Sequence, residues 1–242
     1  MSIFLTLNYL FFIGSTLGWV LELLYRNLTQ EHEKWINPGF CTGPYLPIYG
    51  FGLCTLFLLA SLERYSFIKN AFWNKAVLFL TMAIVMTLIE YLAGLFCLKF
   101  FKVRLWDYSK NWGNIQGIIC PMFSVFWTIL GAVYYFFIHP YILGGLNWLS
   151  QNLAFSFFIG MFLGVFLVDV ANSAQFIAKL KRFAEENRVI FIYEEIKSHI
   201  RTAQEKASHK YHFFAPFHSE RLLNEHLREI SVKIKNQKRS KS

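Results

Sequence analysis

Apolar residues run along the chain in long blocks separated by short polar stretches, not in the broken stripes of soluble helices. The blocks fall at residues 3–25, 44–62, 75–98, 117–138 and 153–176. About 20 apolar residues carry a helix across a bilayer, so the pattern predicts an all-α, polytopic integral membrane helix bundle of about five transmembrane helices. Between residues 111 and 168 there are 58 positions without one Lys, Arg, Asp or Glu. A run that long belongs to membrane or deep interior. The second block departs from the others, because Asn37, Pro38, Gly39, Gly43, Pro44, Pro47, Gly50 and Gly52 crowd its entry. Such residues disfavour regular helix until about Phe51. Residues 44–62 therefore either span as the second of five helices or re-enter as a hairpin, leaving four; we take five.

Composition sharpens the class. Of 242 residues, 55% are hydrophobic and 16% charged, against about a quarter charged in soluble chains. The net charge of +9 is uneven: residues 179–242 hold 15 Lys or Arg against eight acids. This divides the chain into a transmembrane domain, 1–178, and a basic tail, 179–242. Lys and Arg collect in short cytoplasmic loops, which puts the C-terminus in the cytoplasm. The connection 139–152 has no Lys or Arg and belongs outside, whereas Lys99, Lys102, Arg104 and Lys110 place the loop 99–116 inside. Arg64, Lys69 and Lys75 stand against this order under five spans. The N-terminus has no Lys or Arg before its apolar stretch and does not read as a signal peptide.

Val189, Ile192, Tyr193, Ile196 and Ile200, then Leu222, Leu223, Leu227 and Ile230, recur at helical spacing among charged residues, predicting two amphipathic helices broken near Pro216. Their apolar faces suit a membrane surface, the domain's inner loops or a partner. The basic end, 233–242, is expected to be disordered. Interleaved Glu185, Glu186, Glu194 and Glu195 make the tail a poor nucleic-acid binder, so none is expected as partner.

Candidate chemistry centres on three acids within or at the edges of apolar blocks: Glu22, Glu90 and Asp169. A charge in hydrocarbon costs ~2.5–3.5 kcal/mol even on insertion scales, so these residues either face a polar bundle interior or reach water at the interface. Tyr25 lies one turn from Glu22, and Tyr91 adjoins Glu90, each offering a phenol donor. The stretch 37–52, with Asn37 and Tyr49, frees backbone amides and carbonyls for ligand contact, or else forms a rigid turn. Asp107 and Asn114 lie in the polar loop 105–117 beside Trp106 and Trp112, which also suit an interfacial belt. Ser124 with Trp127, and Asn172 with Ser173, add polar atoms to apolar helices.

Cys41, Cys54, Cys97 and Cys120 lack metal-ligand spacing, and His209, His212 and His218 lack a fourth ligand. No metal or cofactor is expected. Neither a GxxxxGK[ST] phosphate loop nor a hydrolase elbow is present, which argues against ATP hydrolysis by this chain and leaves enzyme activity without a motif. The phrases FIGSTLG (12–18) and FIGMFLG (158–164), each followed by an acid, read as a weak internal repeat. Gly14 with Gly18, and Gly160 with Gly164, also form small-xxx-small faces for close packing.

In order along the chain stand Gly18-x-x-x-Glu22-x-x-Tyr25, Asn37-Pro-Gly-Phe40, Gly43-Pro44-x-x-Pro47-Ile-Tyr-Gly50, Glu90-Tyr91, Trp106-Asp-Tyr-Ser109, Asn114-x-x-Gly117 and Ser124-x-x-Trp127. Together, over residues 10–175, they resemble the CmpB-type ABC-transporter permease family of bacteria. The resemblance implies a multi-pass protein of the bacterial cytoplasmic (inner) membrane and an ATPase on a separate chain; it transfers no substrate and no catalytic residues. The leading expectation is a permease-like protein that binds or translocates a small solute through an acidic polar cavity, working as a homo-oligomer or with a partner. Two alternatives stand beside it: a membrane-embedded enzyme acting on a lipid-like substrate, and an accessory or sensory protein whose tail docks a cytoplasmic partner.

Overall fold

A computed structural model describes residues 2–29, 37–39, 41–63, 68–187, 191–192, 196–197 and 232. Helices dominate: α1 (Ile3–Thr29), α2 (Pro47–Leu62), α3 (Ala71–Phe96), α4 (Pro121–Val133), α5 (His139–Gln151) and α6 (Ser156–Asn187). Two short strands, β1 (Val103–Arg104) and β2 (Phe191–Ile192), pair in parallel. The apolar positions 222–230 of the second predicted tail helix, His209, His212 and His218, and the basic end 233–242 lie outside the described residues.

Four helical stretches are long and apolar enough to cross a membrane: Ile3–Leu28, Ala71–Phe101, Pro121–Gln151 and Leu153–Gln175. The segment 44–62 contributes α2, an apolar helix of 16 residues. The chain is thus an all-α, multi-pass membrane bundle. The surface of α3 shows why lipid suits it. Leu80, Ile84, Leu88 and Leu92, spaced by four, are all at least half exposed, an apolar stripe that water would penalise and acyl chains match.

Prolines set the helix starts. Pro47 and Pro121 each lie in the first turn of their helix, where the missing N–H would have no intrahelical acceptor anyway. Leu46, before Pro47, takes the extended conformation that a following proline favours, and its amide donates to Ser15 O at 2.9 Å. The connection 139–152, expected as a loop, is helical instead. A π-helical turn, Tyr134–Ile138, joins α4 to α5, and its wider hydrogen-bond spacing lets the chain pass Pro140 without ending the helix. Tyr134 Oη meets His139 Nδ1 at 2.8 Å across that turn.

The chain forms two compact units. The first comprises Met1–Trp19, Tyr45–Ala93 and Tyr108–Leu167, and the second Val20–Pro44, Gly94–Asp107 and Val168–Ser242. The core of the first unit joins Leu10, Leu56, Ala60, Leu78, Met82, Met86, Tyr134, Ile142 and Leu146. Phe11 packs edge-on to Phe51 and Phe166, with ring centroids 5.1 and 4.9 Å away. Close approach of α1 to α2 depends on Gly14 and Gly18. A Cβ on Gly14 would stand 2.7 Å from Leu53 Cβ, and one on Gly18 would overlap the Tyr49 side chain.

Candidate functional site

The buried stripe of α3 reads Leu78, Met82, Met86 and then Glu90, one residue per turn. Helical periodicity therefore carries a carboxylate onto the face where the bundle packs. Glu90 is 4% exposed. Its two oxygens each meet a donor: Tyr108 Oη donates to Oε1 at 3.1 Å and Trp127 Nε1 donates to Oε2 at 2.9 Å. Buried charge survives when it is hydrogen-bonded in this way.

Both donors are held from behind. The Tyr108 ring stacks on Phe123, with centroids 4.2 Å apart and planes within 10°, while its amide donates to Gly117 O at 2.8 Å. The Trp127 ring has Tyr49 as a neighbour at 6.0 Å. One turn away on the same two helices, Thr87 Oγ1 donates to Ser124 Oγ at 3.1 Å. A polar seam of carboxylate, indole, phenol and two hydroxyls therefore runs between α3 and α4 in apolar surroundings. Asn114 supports the Tyr108 loop: its Nδ2 donates to Asn111 O and Ser109 O, and its Oδ1 accepts from the Gly117 amide.

The second unit gathers other predicted residues around the turn 37–44. Asp169, on α6, accepts from the amides of Thr42 and Gly43 and from Thr42 Oγ1, at 2.5–3.1 Å. Ser173, one turn on, donates to Oδ1 at 3.3 Å. Asn37 is buried, and its Nδ2 donates to Cys41 O and Thr42 O. Asp169 and Asn37 thus bind amides and carbonyls that the Pro/Gly composition leaves outside any helix. Burial, reinforced by the Asp169 charge, pushes the Cys41 thiol up to about 12, with Lys197 opposing.

Glu22 pairs with Arg26 at 2.9 Å on the last turns of α1, and Asp107 pairs with Arg104 at 3.3 Å. Tyr25 is half exposed on the same helix as Glu22. Tyr91 follows Glu90 but lies about 100° further around the helix, and the donors that reach the carboxylate come from elsewhere. Sequence reasoning did not find Tyr108 or Lys197. Tyr108 stands in the polar loop 105–117 within the motif Trp106-Asp-Tyr-Ser109, and Lys197 counts only among the basic residues of the tail. Among the described residues no group of three His, Cys, Asp or Glu side chains comes together that could hold a metal ion.

A family model described as "Putative ABC-transporter type IV" matches residues 9–174. The chain belongs to this family. Glu22, Glu90 and Asp169 all fall within the part that matches, whereas Lys197 lies beyond it. No curated protein and no solved structure matches the chain.

Proposed function

We propose that this member of the ABC-transporter type IV family is a permease-like membrane protein that binds a small cationic or hydrogen-bonding solute at the seam built on Glu90. The observation that supports this most is a carboxylate at 4% exposure on an apolar span, with each oxygen on an indole or phenol donor. An intramembrane carboxylate is costly, and a purely structural role would be served as well by another apolar residue in the stripe. Ser124 and Thr87 extend the seam with hydroxyls, and Tyr49 contributes an aromatic wall beside Trp127.

Asp169 and Asn37 take a supporting role in this reading, because both are engaged with the backbone of the turn 37–44. The charge of Glu22 is balanced locally by Arg26. With no ATP-binding motif in its sequence, the chain would draw energy from an ATPase on a separate subunit, contacted on the cytoplasmic side where the basic tail lies. The family's description supports that pairing.

Glu90→Gln is the sharpest test. Gln Oε1 can still accept from Trp127 and its Nε2 can donate to Tyr108 Oη, whose hydroxyl serves either role. The fold is kept while the charge is lost. Uptake of a panel of cations and small polar solutes by vesicles carrying the protein should fall at least tenfold for the transported solute, with protein abundance unchanged. Full uptake by the variant would overturn the assignment.

A further inference from the structure

A lysine 158 to 160 positions further along the chain holds the turn 37–39. Lys197 Nζ donates to Asn37 O at 2.8 Å and to Gly39 O at hydrogen-bond distance. Lys197 is 3% exposed and Asn37 2%, so this ammonium has left water and taken backbone carbonyls as solvent. Gly39 has φ +74°, the left-handed region that glycine occupies without strain, and this reversal brings the carbonyls of residues 37 and 39 to one cation. Pro38 between them has no N–H to compete for an acceptor. The next residues carry the opposite polarity: the amides of Thr42 and Gly43 point to Asp169.

An independent contact fixes a segment of the tail in the same unit. β2, five residues before Lys197, pairs in parallel with β1, matching Val103 to Phe191 and Arg104 to Ile192. Lys197 therefore arrives at the turn from an anchored strand.

We propose that the carbonyls of Asn37 and Gly39 form a binding seat for a primary ammonium group, that Lys197 occupies it as a tethered ligand, and that a free alkylammonium ion fills it once the lysine side chain is gone. Donated N–H bonds to two carbonyls select an ammonium over a divalent metal, which would require six or more oxygen ligands or retained waters. The tether raises the local concentration of the lysine to the millimolar range or above, which keeps the seat filled in the intact chain. This site is separate from the Glu90 seam and stands or falls without it.

Thermal melting of the purified full-length protein in detergent tests the seat, comparing Lys197→Ala with the unsubstituted chain. Methylammonium chloride, supplied at tens of millimolar and matched in ionic strength by tetramethylammonium chloride, is the probe. Lys197→Ala should melt lower, methylammonium should restore most of the difference, and tetramethylammonium, with no N–H, should restore none. An unchanged melting temperature in the variant, or equal effects of the two ions, would overturn the proposal. Should the variant fail to fold, acetylation of the unsubstituted protein decides: Lys197 should react at least tenfold more slowly than Lys181, whose side chain is 40% exposed, and equal rates would refute the seat.

Discussion

Glu90 stands where the stripe of Leu78, Met82 and Met86 would continue with another apolar residue, and that substitution of charge for packing gives α3 its chemistry. Its neutral donors matter as much as the acid. Trp127→Phe keeps the ring and removes the N–H, leaving a buried carboxylate oxygen without its donor, at a cost of about 1–3 kcal/mol. The variant should melt measurably lower in detergent and transport poorly. The acid was legible in the sequence because a carboxylate in an apolar run is conspicuous. Its partners were not, since Tyr108 lies 18 positions away and Trp127 37 positions away, and contacts at such separations depend on how loop and helices pack.

Cys41 offers a second prediction at this scale. Its thiol is raised from an ordinary 9.0 to about 12, so the folded chain favours the protonated form. Site-resolved alkylation at Cys41 should therefore stay slow from pH 7 to 9, where an ordinary thiol gains thiolate about tenfold per unit. Because the folded value is the higher one, the associated stability is complete below pH 9 and is lost as pH climbs from 9 towards 12. Rapid labelling of Cys41 at pH 8 in folded protein would contradict this environment.

Among the elements, the two glycine phrases behave differently despite their likeness. Gly14 and Gly18 lie against α2, while a Cβ on Gly160 or Gly164 would meet nothing within 4 Å among the described residues. Close helix packing, expected for both pairs, belongs to the first. Gly18→Ala should sharply reduce folded yield, because its Cβ would overlap the near end of the Tyr49 side chain, which cannot swing away from its own backbone. Gly164→Ala should leave yield unchanged, as fluorescence-detected size exclusion would show; equal losses in both would contradict the packing. Helix spans could be read from the blocks of hydrophobicity, but the length of α2 and the continuity through Pro140 could not. Proline marks a helix start and a helix break with the same residue, and a π-helical turn has no sequence signature that separates the two.

At the level of the whole molecule, membership of the ABC-transporter type IV family and four spans of sufficient length and apolarity describe a multi-pass membrane protein. Low charge and long apolar blocks made that visible from composition alone. The sequence predicts two amphipathic helices for the tail, with a docking role. Its described residues continue α6 to Asn187 and then add a strand paired to β1 and a lysine inserted into the turn 37–39. A basic residue in a charged tail looks the same in sequence whether it faces water or a pair of carbonyls. Sequence therefore located the acids and the Pro/Gly turn, while the hydrogen bonds that assign them different tasks came from the fold.

Solute uptake into vesicles by the unsubstituted protein and Glu90→Gln, at equal abundance and with the cognate ATPase supplied from the host membrane, decides whether the proposed Glu90 seam handles solute. A solute is expected whose uptake the unsubstituted chain supports and Glu90→Gln lowers at least tenfold. Undiminished uptake by a folded Glu90→Gln protein would contradict it.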